Sequence, residues 1–387
     1  MPSLHMGRLI HGAVHNGIPI NALMVNGEIA RFFPDPPGKP GSLGMLEPLP
    51  YELSRMASGR VGSYFVFAGG QYFSGFGPIH GTVYSRHTLQ QSMLDQGLAR
   101  VFPASANLST HFMVMGGRDA SNTAFLNGPG TNGGTAYNSV LQAQSFTGHP
   151  STQTAERDSV LSEGVSMDGG SKVAFFGGAQ STNSTSSQNI ILWYDETLQC
   201  VNGVIGPGGS RMAATGFSAG SSAVVAAGYT SNSNITGTRS NRVDILSSTQ
   251  TVSIGETIDP SRFDAIGGTL PDGSGILAGG RNNLGNAITG ISYLYSPALV
   301  RSTLTPGLSM PQANRWSQVS NLGNYYMIGG LNGVLDVFNQ LHQREETLVL
   351  ENHGIDFSSI SDGRTALYAG GRVTAGSLDT VEAFGLL

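Results

Sequence analysis

A short apolar strand that ends in a pair of small residues occurs seven times in this chain, and it constrains the fold more than any other feature. The copies read FVFAGG to Gly70, FMVMGG to Gly117, VAFFGG to Gly178, AVVAAG to Gly228, GILAGG to Gly280, YYMIGG to Gly330 and ALYAGG to Gly371. The first small residues stand at 69, 116, 177, 227, 279, 329 and 370, so successive copies lie 47, 61, 50, 52, 50 and 41 residues apart. A unit of this length cannot bury its apolar face alone and has to stack against its neighbours. Glycine closing a strand permits positive φ and close backbone approach, which a crowded interior requires.

Each copy sits between two further landmarks. Upstream, an arginine leads into another strand in six units, at Arg55, Arg100, Arg157, Arg211, Arg262 and Arg315; the seventh has Asn352 and His353 there. These arginines read as a structural ring whose guanidinium groups satisfy backbone carbonyls between units, not as a ligand cluster. Downstream come a polar loop and a third apolar stretch (TVYSRHTL, SVLQAQSF, NIILWYDETL, NRVDILSS, GISYLYSP, LDVFNQLH, DTVEAFGL), then a weaker fourth strand in most units. With 55 glycines in 387 residues and only 12% charged residues, the chain is turn-rich and weakly charged, as many short strands demand. The expected fold is all-β: a seven-bladed propeller over residues 53–387 with a short N-terminal extension over 1–52. An all-β sandwich with ordinary hairpin glycines is the competing reading.

This pattern resembles the kelch repeat, the propeller motif shared with the central domain of galactose-oxidase-like proteins, and the resemblance spans roughly residues 55–387. Kelch units usually carry a tryptophan near the fourth strand; this chain has only Trp193 and Trp316, neither in that place.

The last repeat stops after three strands, so its fourth must come from elsewhere if the ring is to close without an exposed edge. Residues Ile20 to Phe33 alternate around an Asn26-Gly27 hairpin signal, and Pro34 to Ser42 read as an extended linker. A strand from the first 52 residues is therefore expected to complete the seventh blade or to form a small separate hairpin. The same segment, with Gly17-Ile18-Pro19-Ile20 and Val25-Asn26-Gly27, resembles stretches near the start of phage tail and fibre proteins. That resemblance implies an arm, residues 1 to about 45, which fixes the protein to a virion.

Composition and motifs exclude several classes. A formal net charge of -5 without a Lys/Arg cluster offers no footprint for nucleic acid or an anionic membrane. Cys200 stands alone, so neither a disulfide nor a Cys-based zinc site is expected. The N-terminus lacks a secretory apolar region and no window reaches transmembrane length, so the chain reads as leaderless. Nucleophile-elbow, phosphate-loop and zinc-protease motifs are missing; His5, His11 and His15 and the GPGTNGG stretch from Gly128 read as loop or strand residues. No Tyr/His set accompanies Cys200 to build the copper site of a galactose-oxidase-like enzyme. The reading is a non-enzymatic protein with no cofactor and no metal.

Polar loops follow the Gly pairs, and on such scaffolds function sits in loops. Arg118, Asp119, Arg281, Asn282 and Arg372, nearest the strand ends, are the candidate binding residues. The functional expectation is a virion structural or attachment protein, assembled in the host cytoplasm as part of a phage tail, fibre or spike. Its partners would be other virion proteins and a host surface glycan, in a closed homo-oligomer or larger assembly. The alternatives are a glycan-active enzyme of the galactose-oxidase-like group and an intracellular kelch-type interaction module located in the cytoplasm.

Overall fold

The computed structural model describes residues 8–15, 18–25, 28–34, 38–71, 80–95, 103–117, 127–128, 131–147, 163–178, 190–205, 211–229, 240–282, 288, 291–305, 307–308, 319–330, 333–351, 355–373 and 376–387. Seven small antiparallel sheets form a β-propeller. Their first strands are Ala57–Val61, Ala104–Asn107, Glu163–Met167, Thr215–Ala219, Ile266–Thr269, Ser320–Leu322 and Ser358–Ser361, and successive first strands pack on one another around a central channel. Helix is almost absent among the described residues, where 3-10 conformation occurs at Asp168–Gly170 and at Gly333.

Ring closure is written in the core. The buried apolar residues fall into seven clusters, and each cluster mixes side chains from two neighbouring blades. One joins Phe65, Phe67 and Tyr84 of blade 1 to Leu367, Ala369 and Val381 of blade 7. The second strand of each blade is the most buried, which is why it carries an unbroken apolar run and not an alternating one.

The repeated small pair supplies the turn that follows this strand. Both of its residues take positive φ, for example 66° and 101° at Gly177 and Gly178. Blade 4 has Ala227 at the first place, at φ 67°. Blade 6 departs from the repeat: Gly329 is still the last residue of its second strand, Tyr325–Gly329, so Gly330 is the residue that begins the turn.

A second recurring device joins the third and fourth strands. Ser85, Asn138, Asp195, Ser247, Ser296 and Asn339 each accept, through the backbone carbonyl, an N–H from a residue in left-handed conformation three or four places on: Leu89, Leu141, Leu198, Gln250, Leu299 and His342. Their side-chain oxygens accept further turn N–H groups, as Asn138 Oδ1 does from Val140 and Gln142 at 3.1 and 3.0 Å. Short polar residues are the ones able to offer this local acceptor.

In the seventh sheet Val381–Leu386 pairs with Pro40–Met45, which takes the place of a fourth strand. This strand lies partly within the stretch that sequence alone reads as a linker. Ile20–Phe33 contributes instead to Ile18–Val25 and Glu28–Pro34, which form with Arg8–His15 a separate three-stranded sheet whose central strand is Ile18–Val25. Ser42 Oγ donates to Glu382 Oε1 at 2.6 Å, and the N–H of Leu387 reaches the carbonyl of Lys39 at 3.0 Å.

Candidate functional site

Antiparallel order sorts the connections of every blade onto two faces. The short turns between strands one and two, and between three and four, lie on one, the turn face. The second strands end, and the first strands begin, on the other, the loop face.

On the loop face of four blades the residue after the turn pair is held by one backbone bridge to the segment that enters the same blade: Gln71 to Ser54, Tyr229 to Met212, Arg281 to Phe263 and Arg372 to Ile355. These four are equivalent positions, and all four are half-buried. The rim therefore presents a recurring place occupied by amide, phenol and guanidinium groups. Arg372 Nε lies 2.8 Å from Asp356 Oδ2, and Tyr229 meets the ring of Phe263 edge-on at 5.5 Å. Asn282 follows Arg281 and is also half-buried. Arg281 and Arg372 share a face but belong to blades 5 and 7, and no contact between them is seen among the described residues. Arg118 and Asp119 lie outside those residues.

Of the sequence-derived arginine ring, Arg55, Arg211 and Arg262 are described, while Arg100, Arg157 and Arg315 lie outside. The three do not share one register. The turn glycine of the preceding blade donates its N–H to the carbonyl of Arg211 (from Gly178), Arg262 (from Gly228) and Leu53 (from Gly371), each at 2.8 Å. Leu53 thus takes the arginine position in blade 1. Arg55 lies two residues later, at φ 59°, where Ala213, Asp264 and Asp356 stand in other blades.

Their partners differ as well. Arg211, buried, donates to the carbonyl of Arg242 at 3.0 Å and pairs with Asp244. Arg262, fully buried, donates to the carbonyls of Gly279 and Ile291 at 3.0 and 2.9 Å and lies over the ring of Tyr293. These bonds stay within one blade; it is the arginines' own carbonyls that reach the neighbour. Burial without a carboxylate lowers Arg262 to about 10, with Tyr293, Tyr295 and Asp259 working the other way. Arg55 does cross a blade boundary, with Nε 2.9 Å from Asp356 Oδ2.

The central channel is a cavity of about 470 Å³ lined by first-strand residues of all seven blades. Sequence reading passed over its wall, because polar residues at the end of each first strand look like ordinary turn residues. Toward the turn face these side chains form a belt that ties blade to blade. Arg60 N–H donates to Asn107 Oδ1 at 3.0 Å, and Asn107 N–H to Ser166 Oγ at 3.0 Å. Ser218 Oγ donates to the Ser166 carbonyl, and Ser218 N–H to Thr269 Oγ1 at 3.2 Å. Asn321 Nδ2 donates to the Thr269 carbonyl at 2.8 Å, and Asn321 N–H to Ser361 Oγ at 2.8 Å. Among the described residues no group of three or more His, Cys, Asp or Glu is placed to hold a metal.

No family model matches the chain, and no curated protein is similar enough to match it. Among solved structures, that of YjhT is similar over 79% of this chain and 99% of its own, with a TM-score of 0.56 and 13% identity. It is one of 980 matching solved chains, and at this identity the likeness establishes the propeller fold alone.

Proposed function

We propose that this protein is a non-enzymatic, kelch-type binding propeller that serves as a virion structural or attachment component. In this reading the loop face recognises a host surface glycan or a neighbouring virion protein. The observation that carries it is the recurring rim position occupied by Gln71, Tyr229, Arg281 and Arg372. Amide and guanidinium donors beside a phenol are the groups that hydrogen-bond to and stack on sugars and polar protein surfaces. The low charge, 12% of residues, and the fibre-like N-terminal segment support the virion setting. A rigid ring presenting side chains on one face suits recognition, since fixed groups lose little entropy on binding.

Mass spectrometry of purified particles tests the setting: the chain should appear in stoichiometric amounts, and its absence ends the virion reading. Binding of the full chain to a glycan array, compared with Arg281→Ala, tests the face, with at least about a tenfold loss expected in the variant. Retention that is unchanged in Arg281→Ala overturns the rim assignment. Tightly bound copper with sugar oxidation favours the enzyme alternative instead.

A further inference from the structure

At three places the belt of the channel uses a side-chain acceptor and leaves that side chain its donors. Asn107 Oδ1, Ser166 Oγ and Ser361 Oγ each accept a neighbouring blade's backbone N–H, at 3.0, 3.0 and 2.8 Å. A serine hydroxyl that accepts in this way keeps its own proton to give, and an asparagine whose oxygen is engaged keeps its two N–H groups. What these residues present to the channel is therefore donor in character.

Charge at the same mouth has the same sign. Arg60, Arg86 and Asp362 stand there, and Arg86 is committed: its Nε and one Nη lie 2.8 and 2.7 Å from Asp362 Oδ2, and its other Nη donates to the Gly62 carbonyl at 2.8 Å. Arg60 lines the cavity and is open to its solvent. Among the described residues its guanidinium has neither ion pair nor hydrogen bond. One cation is left over, lining the same cavity as the donors of Asn107, Ser166 and Ser361.

We propose that the turn-face mouth of the channel is an oxyanion site, in which Arg60 holds a small carboxylate or phosphate group flanked by the hydroxyls of Ser166 and Ser361 and the amide of Asn107. The site is distinct from the loop-face rim and stands whether or not that rim binds a glycan. An oxyanion is acceptor-only, matching the donors that Arg60, Asn107, Ser166 and Ser361 keep, and a guanidinium fork fits carboxylate and phosphate alike. Enclosure by seven strands strengthens the attraction compared with an open surface. Burial, then the charge of Arg86, also lowers the guanidinium below its ordinary value, against Asp362; a bound anion would offset both costs.

Calorimetric titration of the full chain with sodium phosphate and, separately, sodium acetate, at ionic strength held constant with sodium chloride, tests this. One anion should bind at a single site in the millimolar range or tighter, the stronger of the two identifying phosphoryl or carboxylate chemistry. Arg60→Gln should weaken it at least about tenfold, and Ser361→Ala roughly threefold. Arg60→Lys, which keeps the charge but loses the fork, should fall between and serves if the glutamine variant does not fold. Arg281→Ala should bind phosphate or acetate like the unaltered chain even if it loses the glycan. Absence of binding by both anions, or equal binding in Arg60→Gln, overturns the site.

Discussion

Two blade boundaries, the one between blades 4 and 5 and the one between blades 7 and 1, share one internal geometry although blade 7 is assembled from segments far apart in sequence. Between blades 4 and 5 a continuous chain runs from a fourth strand to the next first strand. Between blades 7 and 1 that fourth strand, Pro40–Met45, pairs with a third strand more than 300 residues later in sequence. Even so, Ser358 Oγ donates to the Met56 carbonyl at 2.8 Å just as Thr215 Oγ1 donates to that of Ala265 at 2.8 Å. Tyr84 Oη donates to the Glu47 carbonyl at 2.8 Å, and Tyr293 Oη to that of Asp259 in the equivalent link.

The boundaries part company in their ion pairs. At the seam between blades 7 and 1 the pairs are Arg55–Asp356 and Arg86–Asp362, and their carboxylates are only 8% and 5% exposed. Across the other boundary Arg301 pairs with Glu256, whose side chain is 68% exposed. A sheltered charge pair is screened less by water and salt and adds more than an open one. The lesson is that a blade assembled from segments far apart in sequence keeps the ordinary joint to its neighbour, and that this joint carries shielded ion pairs.

The strongest way to break the parallel is at the turn pair. Gly370 has φ 64°, and a Cβ there would meet the Leu53 carbonyl oxygen at 2.1 Å, whereas Ala227 already occupies the equivalent place at φ 67°. Gly370→Ala should lower unfolding free energy by about 3 kcal/mol, combining left-handed strain with backbone overlap. Ala227→Gly should change it by less than about 1 kcal/mol, because relieved strain opposes the loss of a buried methyl. Denaturant unfolding at neutral pH measures both; equal effects would dissolve the contrast.

Next in size is Asp356→Asn, which leaves Arg55 and Arg372 without their shared carboxylate and should cost about 1–2 kcal/mol. Glu256→Gln should cost below about 0.5 kcal/mol, and in 1 M salt only the seam difference should persist. Ser358→Ala and Thr215→Val each remove one boundary hydroxyl and should cost about 1 kcal/mol apiece, the same on both sides if the joints are equivalent.

Smallest at neutral pH, but growing with alkali, is the tyrosine contribution. Burial raises Tyr84 above its ordinary 10.0, chiefly by desolvation, and raises Tyr295 to about 12. A phenol that holds its proton more tightly when folded contributes stability that is complete below pH 10 and is lost as pH rises above it. Arg60, Arg211 and Arg262 oppose this, since a lowered guanidinium favours the folded state as pH rises, Arg262 from about 10. With Tyr326 and Tyr368 raised as well, four tyrosines outnumber three arginines, so unfolding midpoints should fall above pH 10, and Tyr84→Phe should make that fall shallower.

Much of this was legible in the chain. A recurring apolar run closed by small residues has one economical outcome, a buried strand ending in a positive-φ turn, so the blades and their number follow from spacing. The third-to-fourth turns were legible too, through Ser85, Asn138, Asp195, Ser247, Ser296 and Asn339, had the repeats been aligned there. Register within a landmark was not: two adjacent glycines at 329 and 330 do not say which begins the turn, and Arg55 near a strand start does not reveal that Leu53 is the counterpart of Arg211. The channel belt was invisible because each of its bonds joins residues roughly one repeat apart, and only the angle between blades brings them together.

Alone, then, the sequence determined strand content, repeat number and turn chemistry, since these depend on residues close along the chain, where propensity and φ preference decide. The tertiary structure decided which N-terminal segment completes the seventh blade, which arginines have carboxylates, and that Arg60 lines the channel. Those outcomes depend on where seven separately formed sheets meet, and no local preference carries that information.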